Sequence, residues 1–326
     1  RGDLVTSDAG SVQGYNDTMQ IWTADAAAFN ARDRQRTDLH LDLTALLRYA
    51  PHAMVGLEAG YARKTRSPNL YERYVWSTNA MASLMNNFVG DGNGYVGNID
   101  LKPEVAHTLS GSVDLHDADA SVWGVKATGY VTRVHDFIDA RRCTFGQCSK
   151  ANATATDAFV FLQYVNQPAL LYGVDVSAHW LLGRNDRFGS VTATGWLSYV
   201  RGENRKTDDD LYHIMPLNGK LALVHALGRW TNTVEFHVVD DKTRVSSVRN
   251  EVPTARYSLL NLRTSYEFEH VRLDLSVENV FNRFYSLPLG GAYLGQGLSM
   301  SSKTIPWGTS VPGAGRSINV ALSVDF

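Results

Sequence analysis

Two methionines, Met81 and Met85, lie four residues apart in a polar stretch of the chain, and a third, Met300, lies in another polar stretch. Thioether sulfur is a soft ligand that suits copper(I). These three side chains are therefore the candidate metal ligands. The alternative is that they pack the interiors of loops, since methionine fills irregular gaps well.

The two cysteines of the chain, Cys143 and Cys148, are close together in a polar segment. A disulfide in an oxidising compartment is the interpretation that we favour over two free thiols. Because no histidine pattern accompanies them, they make a poor zinc site. The run from Asp91 to Tyr95 has the residue types of a calcium loop but lacks its later acidic ligand, so a glycine-rich turn is the better interpretation.

Residues for covalent chemistry are not grouped in the sequence. The histidines His40, His107 and His179 fall on separate segments without an obvious nucleophile nearby. We therefore expect no enzyme activity, no catalytic residue and no cofactor. The net charge of −2 at pH 7 also argues against nucleic acid as a partner.

The segments that must position these residues alternate between apolar and polar side chains, which is typical of strands with one apolar face. The pattern recurs at Val271–Glu278 and from Asp38 to Tyr49, where Leu46 is the exception on the polar face. At the end of the chain one face carries Ile318, Val320, Leu322, Val324 and Phe326, and the other carries Ser317, Asn319, Ala321, Ser323 and Asp325.

About eleven such segments, each of about ten to fifteen residues, can be counted along the chain. Transmembrane strands need about nine to eleven residues, and soluble strands are usually shorter. The connections alternate between short and long, as in outer-membrane barrels. The sequence thus predicts an all-β, transmembrane antiparallel β-barrel, with extracellular loops at 1–34, 66–103, 140–157, 202–216, 243–256 and 288–315.

Four motifs, in order, resemble those of the TonB-dependent outer-membrane receptors. The run Val277–Tyr285, with Asn279, Phe281 and Tyr285, is similar to the aromatic, asparagine-rich signature near the end of these receptors. The other three are Tyr61–Arg73, then Gly97–Glu104 with Pro103 and Glu104, and Tyr164–Asp175. Phe326, at the end of an apolar alternating strand, resembles the signal that the barrel-assembly machinery of Gram-negative bacteria reads.

The resemblance implies the C-terminal part, residues 1–326, of a barrel with about twenty-two strands, of which about eleven are present. The N-terminal plug domain is not expected in this chain. It implies active uptake across the Gram-negative outer membrane of a metal or metal chelate, of the ferric siderophore, haem, cobalamin or copper class. The implied partners are outer-membrane lipid, the plug, and TonB, which binds a segment upstream of Arg1.

Three other functions compete with this interpretation. The first is a passive porin or channel of about twelve strands, nearly complete in this chain. The others are a barrel enzyme and a soluble carbohydrate-binding β-domain, and the long strands argue against the latter.

Overall fold

The computed structural model describes residues 1–14, 23–85, 88–144, 147–148, 152–292 and 307–325. Within these ranges the chain is mainly antiparallel β-structure with three short helices. No helix in these ranges is long and apolar enough to cross a membrane. The elements in chain order are β1 (Gly2–Ser7), α1 (Thr23–Asn30), β2 (Arg36–Leu41), β3 (Leu43–His52), β4 (Val55–Arg66), α2 (Leu70–Tyr74), α3 (Ala80–Met85), β5 (Gly94–Val96), β6 (Glu104–His116), β7 (Trp123–Arg142), β8 (Phe161–Asn185), β9 (Gly189–Asn204), β10 (Asn218–Leu227), β11 (Trp230–Val239), β12 (Tyr257–Glu267), β13 (Val271–Glu278) and β14 (Ser317–Val324).

One large sheet runs without crossovers from β3 through β4 and β6 to β14. In the described residues eleven strands form this path, and the short β5 pairs parallel with the outer part of β8. The sheet is open, with β3 and β14 at its edges, and every residue of β3 is exposed. The prediction of a partial antiparallel barrel with about eleven strands is confirmed. Since unpaired strand edges are not viable in lipid, β3 and β14 each need a partner strand.

The two faces of the sheet differ as the alternation predicts. On the outward face the apolar rows have no protein cover, and Val320 and Leu322 are 69 % and 66 % exposed. On the inward face the charged side chains pair with one another across strands, as Arg48 does with Glu58 at 2.8 Å. An apolar face toward lipid and a polar face toward an enclosed lumen are the pattern of an outer-membrane barrel.

Exposed aromatic side chains mark the short-turn end of the sheet. Tyr49, Trp180, Phe188, Trp230 and Phe268 are each between 48 % and 65 % exposed next to the tight connections. Aromatic residues gather where a barrel crosses the membrane–water interface. This end of the sheet therefore lies at a membrane–water interface. The long connections lie at the opposite end, which we call the outer end because long connections are typically extracellular in outer-membrane barrels.

Three central strands are longer than the predicted ten to fifteen residues. β7 has 20 residues, β8 has 25 and β9 has 16. A bulge between Val134 and Phe137 interrupts the register of β7 with β8. Beyond this bulge Ile138, Asp139 and Ala140 are all buried, whereas nearer the periplasm the strand alternates in exposure. The extra length is stabilised by packing of the loops against it, which periodicity does not reveal.

The predicted strand from Asp38 to Tyr49 is in fact two strands. It breaks at Asp42, whose amide donates to the carbonyl of Arg1, so β2 pairs with β1 in a separate sheet while β3 begins the large one. The stretch 1–34 thus contains β1 and α1. The stretch 66–103 likewise contains α2, α3 and β5.

Candidate functional site

The outer ends of the strands carry a compact block of structure with its own apolar core. Residues of β5, β7 and β8 and of the connections between them form this core: Tyr95, Leu101, Ile138, Ala140, Val160, Leu162 and Tyr164. The rings of Tyr95 and Tyr164 stack with centroids 5.0 Å apart. The described parts of the predicted loops 66–103 and 140–157 therefore pack against the extended strands.

A buried charge cluster, formed by Arg249, Asp139, Asp91 and Tyr95, joins three parts of this block. The Arg249 guanidinium lies 2.5 Å from an Asp139 oxygen and 4.0 Å from an Asp91 oxygen. It also donates to the Tyr95 hydroxyl at 3.1 Å, and that hydroxyl donates to Asp91. Arg249 follows β11, Asp139 is on β7 and Asp91 precedes β5, so the cluster ties together segments that are distant in sequence.

The environment fixes the charge states of this cluster. Burial raises the pKa of Tyr95, and the neighbouring Asp91 raises it further. Burial alone would lower the pKa of Arg249, but Tyr95, Asp139 and Asp91 outweigh it and raise that pKa. At physiological pH Arg249 is therefore charged and Tyr95 is a neutral hydrogen-bond donor.

Two further buried ion pairs join other segments of the block. Lys242 binds Glu251 and donates to the Pro288 carbonyl at 3.0 Å, which links the connection after β11 to the one after β13. Arg73 on α2 lies 3.0 Å from Asp38 on β2, and the two side chains are 1 % and 8 % exposed. Breaking a buried pair leaves an uncompensated charge, so such pairs hold loops in one arrangement.

The candidate copper ligands lie on the surface of this block. Met81 and Met85 are on α3 and are 50 % and 73 % exposed. Four residues apart on a helix, they share one face. Met85 lines a cavity of about 560 Å³ together with Tyr71 and Trp76. Met300 lies outside the described residues.

The cysteines are joined to each other. Cys143 and Cys148 form a disulfide with their Cα atoms 5.7 Å apart, packed against Val96 and Phe161. Among the residues that the structure describes, no group of three or more histidine, cysteine, aspartate or glutamate side chains is placed to hold a metal ion.

The family model of the TonB dependent receptor-like β-barrel matches residues 15–280. The chain belongs to the TonB-dependent receptor family. Members of this family are β-barrels of the Gram-negative outer membrane, which places this barrel there too. The match favours a receptor over the porin alternative.

Known receptors resemble the chain in sequence and in fold. Heme/hemopexin utilization protein C of Haemophilus influenzae is 25 % identical over 260 residues, 76 % of this chain and 35 % of that protein. The structure named copper transporter OprC has a TM-score of 0.70 at 20 % identity, over 100 % of this chain and 44 % of that one. The ferric enterobactin receptor PfeA of Pseudomonas aeruginosa has a TM-score of 0.61 at 15 % identity, over 90 % of this chain and 40 % of that one. The chain thus spans about a third of the length of the curated relatives that it matches.

The receptor signature residues lie at the outer ends of strands and have structural contacts. Asn279 immediately follows β13 and has a φ of 49°, a left-handed conformation that asparagine tolerates. Its side chain donates to the Arg283 carbonyl and accepts from the Arg283 amide, both at 2.8 Å. Phe281 is 75 % exposed, and Tyr285 packs on Tyr257 with ring centroids 4.4 Å apart.

The other receptor motif residues lie at the start of β6. Pro103 immediately precedes the strand, where its missing N–H is least costly. Glu104 pairs with Arg66 at 2.8 Å and accepts from the Ile138 amide at 2.7 Å, so it joins β4, β6 and β7. Phe326 lies outside the described residues.

The buried charges of the block at the outer ends of the strands are the residues that sequence reasoning missed. Asp91 was assigned to a glycine-rich turn, and Asp139 and Arg249 lie in stretches without periodicity. Arg73 lies inside a motif that the resemblance singled out, which is the one signal that pointed to it. The rest are brought together only by the fold.

Proposed function

We propose that this chain is the C-terminal part of the barrel of a TonB-dependent importer of a metal or metal chelate, and that it has no catalytic role. The single observation that carries the proposal is the family match over residues 15–280. The geometry supports the proposal in two ways. The sheet is open at β3 and β14, as expected for part of a larger barrel, and its polar inward face ends at the packed block that we assign to the ligand-binding side.

We further propose that the inward face contacts a plug domain, and that TonB binds a segment upstream of Arg1. The charged ladder of Lys220, Glu235, Arg263 and Glu278, with separations of 3.1 to 3.5 Å, supplies a polar wall for such a domain. Outer-membrane lipid covers the outward face. The barrel-assembly machinery is proposed to recognise the terminal strand through Phe326.

The cargo is proposed to be captured by the outer block, at 66–103 and the other long connections that we assign to the extracellular side. The curated relatives are named for haem and hemopexin utilisation, so haem is one candidate. Copper(I) is the second, because Met81 and Met85 present two exposed thioethers on one face of α3 beside an aromatic-lined cavity. Met300 is the proposed third ligand.

Growth of a deletion strain tests the uptake proposal. The strain is grown with haem, a ferric siderophore, cobalamin or copper as the limiting source, with and without a functional TonB. A defect on one source that matches the TonB-deficient strain supports the proposal. Equal growth of deletion and parent strains on every source would contradict it.

Isothermal titration of the complete receptor with copper(I) separates the two cargoes. Loss of binding in Met81→Ala/Met85→Ala supports the copper site. Met54→Ala is the control, since Met54 is 39 % exposed in the short connection before β4, at the opposite end of the sheet. Unchanged affinity in the double variant ends the copper proposal and leaves the uptake proposal standing.

A further inference from the structure

Three basic side chains lie next to one another on the outward face of the sheet. Arg63 on β4 is the register partner of His107 on β6, which is the partner of Arg133 on β7. Neighbouring strands are about 4.8 Å apart, so this basic row spans about 10 Å. A phosphate group can contact two adjacent members of such a row at once.

The basic row lies at the outer border of the lipid-facing band. On β7 the outward residues from Trp123 to Val131 are apolar or glycine, and Arg133 is the first charged one. The ten steps from Trp123 to Arg133 cover about 33 Å along the strand, or about 25 Å along the membrane normal at a tilt of about 40°. That is about the height of the apolar band of an outer-membrane barrel. The row is therefore at the level of the outer-leaflet headgroups.

The positive charge of the row is not neutralised by the protein. Arg133 is exposed, and in the described part of the chain it has no hydrogen bond or ion pair. Arg63 donates to neutral acceptors, the Leu41 carbonyl and the Thr65 hydroxyl. At the headgroup level an exposed charge costs little by itself, and an anionic headgroup gives it a partner.

Two carboxylates on strands close to the row, those of Asp42 and Glu203, are already paired with other cations. Asp42 lies 3.5 Å from Lys64 and accepts from the Thr65 amide at 2.9 Å. Glu203, on the same level two strands beyond β7, lies 2.6 Å from Arg201 and 3.1 Å from Arg205. The row therefore keeps its charge for an external anion.

The surface on the membrane side of the row suits the apolar part of a lipid. Tyr61, Leu109 and Val131 form the next outward row toward the periplasm, and Leu109 is 60 % exposed. The Tyr61 hydroxyl lies 2.9 Å from His107 Nδ1, and the His135 ring meets the His107 ring edge-on at 5.7 Å. These contacts orient His107 within the row.

We propose that the basic row formed by Arg63, His107 and Arg133 binds a phosphate of lipopolysaccharide in the outer leaflet, whose acyl chains lie against Leu109 and Val131. Lipopolysaccharide is the phosphorylated lipid of the outer leaflet, which is the level that the row occupies. This surface faces away from the lumen, so the inference goes beyond cargo uptake.

Native mass spectrometry of the complete receptor, titrated with purified lipopolysaccharide, tests the inference. Arg133→Gln is expected to weaken binding about tenfold, and Arg63→Gln/Arg133→Gln more strongly, because charge-assisted contacts are lost. The control is Arg141→Gln, the same change on the same strand about 25 Å further out, where Arg141 binds Gln163 at 3.1 Å. Melting temperatures measured in parallel confirm folding, and Arg133→Gln removes no bond within the described protein.

Two results would overturn the inference. One is equal lipopolysaccharide affinity in Arg133→Gln and Arg141→Gln. The other is equally tight binding of phosphatidylglycerol with the same dependence on Arg133, which would assign the row to general anion contact. Tighter binding of lipopolysaccharide, lost in Arg133→Gln and kept in Arg141→Gln, supports it.

Discussion

Replacing Arg249 with methionine removes the cation of the buried cluster and leaves Asp139 and Asp91 without it. Breaking a buried ion pair costs about 3–5 kcal/mol. In this variant the Asp139 carboxylate still accepts hydrogen bonds from the Asn204 side-chain amide and from the backbone N–H of the next residue, both at 2.8 Å. The Asp91 carboxylate still accepts one from the Asn93 side-chain amide at 2.9 Å. We therefore expect the lower end, about 3 kcal/mol, or roughly 150-fold more frequent opening of the outer block.

Native-state hydrogen exchange of the complete receptor measures this opening segment by segment. In Arg249→Met, exchange should accelerate in β5, in the outer half of β7 and at 243–256, and stay unchanged in the membrane-spanning strands. The control is Arg205→Met, since Arg205 is half exposed, and its partner Glu203 keeps Arg201, so the expected effect is at most about fivefold.

A charge-matched variant separates a lost ion pair from a lost packing contact. Asp139→Asn in the Arg249→Met background removes one of the stranded charges, so part of the protection should return. If hydrogen exchange is equally fast in Arg249→Met and Arg205→Met, the cluster does not hold these segments together. The same conclusion follows if adding Asp139→Asn to Arg249→Met restores no protection.

Three further outcomes follow from other parts of the structure. Val320→Arg on the lipid face, at the middle of β14, should destabilise the folded barrel by about 2–4 kcal/mol in urea titrations in lipid vesicles, whereas Asn319→Arg on the inward face of the same strand should change it little. Cys143→Ser/Cys148→Ser removes the disulfide between two residues five positions apart and should destabilise the outer block by about 2 kcal/mol. Hydrogen exchange of this block, measured without reductant, should then be faster in the variant than in the parent protein, and equal exchange rates would contradict the prediction. Burial and the Lys242 charge lower the pKa of His213 in the folded state, so the unfolded state binds the proton more tightly. Protection of 202–216 from hydrogen exchange should therefore fall as the pH drops below about 6.5, and His213→Gln should abolish this pH dependence.

The alternation of side chains was enough to predict the sheet. The alternation predicts that Val320 and Leu322 face lipid and that Asn319 and Ser323 face the polar inward side. In the structure these two pairs lie on opposite faces of β14. The break at Asp42 was missed because the apolar rhythm continues through it, and only the hydrogen bond to Arg1 shows that β2 pairs elsewhere.

The outer block could not be predicted in the same way. Asp91, Asp139 and Arg249 are as far as 158 positions apart, and each lies where no repeating pattern constrains the side chain. Their pairing depends on loop conformations that bring three connections together. The extension of β8 to 25 residues has the same origin, since its outer third is buried by those loops and carries no polar–apolar rhythm.

The bulge in β7 has a mechanical consequence. Between Val134 and Phe137 the strand changes from a lipid-facing wall to the base of the outer block, and Asp136 there has a φ of 54°. Because Arg249 ties the segments above this point to one another, a displacement of one of them is expected to be passed to the others through the buried cluster. The irregular backbone at Asp136 is the point on β7 where such a displacement would be taken up.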